Sequence, residues 1–167
     1  MPNSLQAVIM EAMIREIPER VYVDSSVVSG MFDKNDHPER VKPFWGAVFD
    51  GKIRVILSDV LEDEVKDSPQ HVRDFYESIP KSQIERIVST DESDALAERY
   101  IAEGVVGETN LNDCQHVALA SIANVDVLVS FNCKHIVKLN RIHRYNAINV
   151  LSGFSQIEIR TPDEVIQ

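Results

Sequence analysis

Asp24, Glu64, Asp113 and Asn132 fall where a folded chain could bring them to one place. Asp24 closes the apolar run Val21–Val23 and is followed by Ser25 and Ser26. Ser58 ends the run "IRVILS", and Glu62 and Glu64 come soon after it. "NDCQHVALA" carries Asp113 and, three residues on, His116; "VLVS" ends at Ser130, with Asn132 just beyond. Singly, each acid has an ordinary role: Asp24 as a helix cap, Asp113 at the positive end of a helix, Glu62 and Glu64 on a solvated face. Together, carboxylates at one edge repel one another and are expensive unless a cation neutralises them. Hard oxygen donors without a convergent Cys or His cluster suit Mg²⁺ or Mn²⁺ rather than zinc. Such ions activate water and steady the leaving oxygen in phosphodiester hydrolysis.

The elements that must position these groups alternate between strand and helix. Apolar residues at helical spacing (Leu5, Val8, Ile9, Ala12, Met13, Ile17) predict an amphipathic helix over 4–17, ended by Pro18. Strands are expected over 21–23, 53–58, 84–89, 126–131 and 157–159. Helices are expected over 26–32, 39–50, from Asp59 as cap to about Val65, around Val72–Ile79, from the cap Thr90 to Gly104, and over 112–123. A helical turn or two is expected at Arg141–Asn146, and a short helix after Pro162. No repeat or long linker interrupts this order. It predicts an α/β fold, a mostly parallel sheet covered on both faces in one three-layer α/β/α domain. Ligands in such sheets sit beyond the carboxyl ends of the strands, where the acids fall.

Composition narrows the classes. The 167 residues fit one domain, and no apolar run is long enough to span a bilayer. No basic patch leads into an apolar core at the start, so a secretory leader is not expected. Cys114 and Cys133 form no CxxC pair and fit a reduced, cytoplasmic setting. A net charge of -10 is the wrong sign for gripping nucleic acid on a broad basic face. A bound cation could still bring phosphate to an acidic pocket.

In order along the chain, "VYVDSSVV", "LSDVLEDEV", "NDCQHVALA" and "VLVSFNCKHI" resemble the four motifs of the PIN-domain family, the fold of VapC-type toxin ribonucleases. They span residues 21–136, and the tail "IRTPDEVI" resembles the ending of a prokaryotic subset with Asn in the fourth motif. The resemblance implies a PIN-like domain over 20–167 with an N-terminal helical extension over 1–19. It implies a metal-dependent endoribonuclease in which Asp24, Glu64 and Asp113 hold Mg²⁺ or Mn²⁺ and Asn132 supports the site as a neutral group. Ser25, Ser58 and Ser130 match the motif hydroxyls, and the serines after Asp24 are placed to orient its carboxylate. It further implies RNA as substrate, a homodimer, and an antitoxin protein as partner.

The chain departs from the pattern in its long N-terminal extension, in Asn132 where the family carries an acid, and in its overall acidity. RNA contacts would come from the basic segment "KHIVKLNRIHR", through Lys134, His135, Lys138, Arg141 and Arg144. His116 reads as a buried packing histidine. A phosphotransfer receiver wants an acidic pair after the first strand, where this chain has one Asp followed by serines. A non-catalytic PIN-like module that binds RNA or a protein is the alternative that Asn132 and the acidity keep open.

Overall fold

The computed structural model describes residues 4–13 and 18–166. Helix α1 (Ser4–Met13) comes first, and Leu5, Val8, Ile9 and Met10 on it are exposed. The expected helix positions at 14–17, Ile17 included, lie outside the described residues.

The sheet is parallel throughout and has five strands: β1 (Arg20–Val23), β2 (Arg54–Ser58), β3 (Ile84–Ile87), β4 (Val127–Val129) and β5 (Glu158–Arg160). Their spatial order is β3-β2-β1-β4-β5. The central strands are runs of β-branched and aliphatic residues because both faces are covered. Alternation along each strand assigns the faces. Val21, Val23, Val55, Leu57, Val127 and Val129 join one core cluster, whereas Tyr22, Ile56 and Leu128 join the other.

The first cluster is closed by α2 (Ser25–Ser29), α3 (His37–Phe49), α4 (Asp59–Lys66) and α5 (Gln70–Ser78). Val41, Phe44, Trp45 and Val48 form the buried stripe of α3, and Trp45 donates its indole N–H to the Val27 carbonyl at 3.1 Å. The second cluster lies under α6 (Asp91–Ala102), α7 (Leu111–Ile122) and α8 (Leu139–Leu151). The expected cap at Thr90 is present as a capping box with Ser93.

Two expected boundaries move. Ser58, not Asp59, caps α4, its hydroxyl accepting from Leu61 N at 3.2 Å. Asp59 instead takes the backbone N–H and hydroxyl of Ser89 at 3.0 and 2.9 Å, tying the end of β3 to α4. The turn or two expected near Arg141 is the full 13-residue helix α8. Three asparagines lower its intrinsic propensity, but tertiary packing overrides it. Asn149 is fully buried and donates to Ser121 Oγ at 2.9 Å while accepting from Tyr100.

The chain builds β1, β2 and β3 toward one edge, then returns across the centre to place β4 on the other side of β1. The point of reversal lies between β1 and β4, and it is beyond the carboxyl ends of such a strand pair that open parallel sheets form their ligand crevice. Asp24 and Ser130 are the residues that follow these two strands.

Candidate active site

Asp24 stands at the N-cap position of α2 but makes no side-chain cap bond. Its carboxylate turns across the crevice, accepting from Ser26 Oγ and Ser130 Oγ at 2.5 Å each. The two hydroxyls are held in turn by backbone donors: Phe131 N–H on Ser26 at 2.9 Å and Asn132 N–H on Ser130 at 2.9 Å. Only 4% of Asp24 is exposed. Burial raises its carboxyl above the usual range; His116 and the two hydroxyls act the other way, and the charge of Glu64 adds to the rise.

Glu64, on the last turns of α4, is held differently. Its Oε1 accepts from His116 Nε2 at 2.8 Å. His116 Nδ1 meets the Tyr22 hydroxyl at 2.6 Å, and that hydroxyl meets Ser58 Oγ at 2.8 Å. Tyr22, Ser58 and His116 are all buried. Burial works against the charge on Glu64, but the hydrogen bonds and charge of His116, with a hydrogen bond from Ser25, bring its carboxyl below the usual range. Burial likewise opposes the imidazolium of His116, yet Glu64, then Asp24 and Asp113, raise its pKa overall. His116 is thus where the fields of all three carboxylates overlap.

Asp113, in the first turn of α7, pairs with His135 through Oδ2 and Nδ1 at 3.1 Å. Asn132 turns its side-chain oxygen back into its own loop, accepting from His135 N–H at 3.0 Å. Its amide NH₂ is therefore the part that remains for other contacts. A cleft of about 340 Å³ opens beside Glu64, between α4 and the start of α7, with Asp59, Asp63 and Asp67 on its wall.

The expected residues thus assemble with changed partners. The serines after Asp24 were both expected to orient its carboxylate; Ser26 does so, whereas Ser25 acts on Glu64, helping to hold that carboxyl down. A serine two residues after an acid can return its hydroxyl to that acid, a local pattern available in the sequence. Ser58 caps α4 and ends the Tyr22–His116 chain. Among the expected RNA contacts, Arg141 is turned away: its guanidinium donates to the Val105 carbonyl in the loop before α7. Arg144 reaches the Glu103 carbonyl nearby at 3.4 Å. Lys134 and Lys138 are exposed and form no ion pair among the described residues. His116 is buried as expected, but both its ring nitrogens face polar partners.

The donor chemistry fits a hard divalent cation. Asp24, Glu64 and Asp113 offer oxygen only, and the hydrogen-bond partners of Asp24 are neutral hydroxyls. Among the described residues no three His, Cys, Asp or Glu side chains close on a single point. Mg²⁺ sites do not require such a cluster, since the ion keeps several waters and takes one or two carboxylates.

No protein-family model matches the sequence, and no curated protein does. Several solved structures match it by shape, two of them as follows. VapC20 of Mycobacterium tuberculosis, a sarcin-ricin-loop-cleaving toxin, has a TM-score of 0.54 at 11% identity, covering 83% of this chain and 98% of that one. VapBC2 from Rickettsia felis, bound to a DNA fragment from their promoter, has a TM-score of 0.55 at 14% identity, covering 84% and 98%. The chain has the fold of a VapC-like PIN domain, as its motifs imply.

Proposed function

We propose that the chain is a metal-dependent endoribonuclease and the toxin of a type II toxin–antitoxin pair. The observation that carries this reading is Asp24: a nearly buried carboxylate at the reversal point of the sheet, aimed by two hydroxyls and in no ion pair among the described residues. Glu64 and Asp113 flank the same edge from separate helices. The likeness in fold to VapC20 and VapBC2 supports the assignment to ribonuclease chemistry and to an antitoxin partner.

In this reading Asp24 and one of its two neighbours hold Mg²⁺ or Mn²⁺. When bound, the ion supplies Lewis acidity and a more acidic water. The side chains do the rest. Ser26 and Ser130 fix the Asp24 rotamer, so no reorganisation of that carboxylate is needed when substrate arrives. His116 holds Glu64, and His135 holds Asp113, at set angles to the crevice. Asn132 offers its amide NH₂ as a neutral donor to a phosphate oxygen. Lys134, Lys138 and the edge of His135 meet the RNA backbone and supply the positive charge that the rest of the surface lacks. The protein works in the cytoplasm as a homodimer, and α1 lies outside this chemistry.

A panel of structured and single-stranded RNAs, incubated with Mg²⁺, with Mn²⁺ and with chelator, tests the reading. Cleavage with metal and none with chelator is the expected result. RNA bound but uncut under every condition would favour the binding-module alternative. That alternative draws on Asn132, whose oxygen is engaged within its loop and replaces an acid.

A further inference from the structure

The C-terminal turn Pro162–Val165 is far in sequence from the acids, yet a continuous set of contacts joins it to Asp24. Val165 is packed in the same core cluster as α3, and Asp163 meets Arg40 of α3 through two guanidinium nitrogens, at 3.0 and 3.2 Å. Arg40 stands over the ring of Phe131, 5.2 Å from its centre. His37, one helical turn back, stacks on that ring at 4.0 Å with an interplanar angle of 8°. Gly30 lies against it too: a Cβ there would fall 2.9 Å from Phe131 Cε2. The ring is gripped by three neighbours and only 6% exposed. Its backbone N–H is the donor that holds Ser26 Oγ, and Ser26 is one of the two hydroxyls on Asp24.

We propose that Asp163 and Arg40 are positioning residues of the acidic site, clamping Phe131 so that its N–H fixes Ser26 against Asp24. This rests on the metal-site reading in one respect only, that Asp24 is a metal ligand. An ion pair at a surface gives little stability by itself, so a contact built only for stability would be a poor use of this geometry. A clamp needs direction rather than energy. The guanidinium fork provides it, one side fixed by the carboxylate and its face by the ring. Gly30 completes the clamp by letting the backbone of the turn after α2 approach the ring closely.

The test compares wild type, Asp163→Asn, Arg40→Ala and Arg40→Lys by three readouts. The first is hydrogen exchange of the Phe131 amide, with the sheet amides of Val55 and Leu128 as controls for global stability. The second is Mn²⁺ affinity by calorimetry, and the third is kcat and KM for a cleaved RNA. Asp163→Asn and Arg40→Ala are expected to speed exchange at Phe131 alone. They should weaken Mn²⁺ binding by about tenfold, the lower end for partners that orient a metal ligand. The loss should fall on kcat with KM unchanged, and Arg40→Lys, which keeps the charge but lacks the planar fork, should recover little of it. Wild-type Mn²⁺ affinity and kcat in folded Asp163→Asn and Arg40→Ala would overturn the proposal, even if exchange quickens. If wild type neither binds Mn²⁺ nor cuts RNA, the nuclease reading falls, and exchange at Phe131 alone then decides whether the clamp exists.

Discussion

Two sides of one crevice hold their carboxylates by opposite means. On the β1–β4 side, Asp24 rests in neutral hydroxyls, each fixed by a backbone N–H. On the α4–α7 side, Glu64 rests on an imidazole backed by a buried tyrosine and serine. The imidazole more than offsets the burial of the charge it orients; the hydroxyls, with the field of His116, offset the burial of Asp24 only in part. Hence burial leaves the carboxyl of Asp24 raised, while that of Glu64 is lowered. The difference teaches how each is set: Glu64 by charge and hydrogen bond together, Asp24 mainly by the direction of its hydroxyls.

The comparison is broken most severely at His116. His116→Ala empties a fully packed site and takes from Glu64 its imidazole and from the Tyr22 hydroxyl one of its two partners, so it should cost about 3 kcal/mol of stability. The corresponding change on the other side, Ser130→Ala, should cost about 1 kcal/mol, because only a hydroxyl is lost. Urea unfolding of the two variants checks this order; equal losses would mean that the two sides are not built differently.

Ser26→Ala sharpens the comparison in function. Removing a hydroxyl that orients a metal ligand should weaken Mn²⁺ binding by about tenfold with little change in melting temperature. Ser25→Ala, on the Glu64 side, should do less, since His116 still holds that carboxylate. Calorimetric titration with Mn²⁺ separates the two.

A third prediction follows from the sign of the shift at Asp24. Its carboxyl is raised in the folded chain, so the folded state favours the protonated form. Stability from this group is present below the unfolded pKa and is lost as pH rises through the folded one. Metal-free wild type should therefore lose stability relative to Asp24→Asn as pH climbs from the acid range to neutrality. Saturating Mn²⁺ should reverse that loss in wild type and leave Asp24→Asn unaffected. Thermal melts at several pH values, with and without Mn²⁺, supply the measurement.

The smallest effect is expected at the rim. Lys134→Ala and Lys138→Ala should each weaken RNA binding a few-fold and lower the salt slope by about one, uniformly across sequences. Arg141→Ala should leave the salt slope unchanged, since that guanidinium serves the Val105 carbonyl.

The architecture was legible because β-branched runs and strand-end acids are local signals. Each of the strands was expected within a residue or two of where it lies, and Asp24, Glu64 and Asp113 were picked out by their place after strands or at helix starts. What was not legible depended on the third dimension. His116 meets Glu64 across 52 residues, so its partner could not be read from spacing on α7. Whether Ser25 or Ser26 serves Asp24 depends on how α2 begins, which fixes the direction of each hydroxyl. The oxygen of Asn132 turns inward because the loop after β4 needs a cap for the His135 amide. The length of α8 was hidden because Asn146 and Asn149 are satisfied by groups outside the helix, the Ile157 backbone for the first and Ser121 and Tyr100 for the second.

The account stands most directly on single-turnover cleavage of a labelled RNA by wild type and Asp24→Asn, each with Mn²⁺ in excess. It predicts cleavage by wild type and, for a folded Asp24→Asn, a rate no higher than that of wild type in chelator. Equal rates for the two proteins would contradict it.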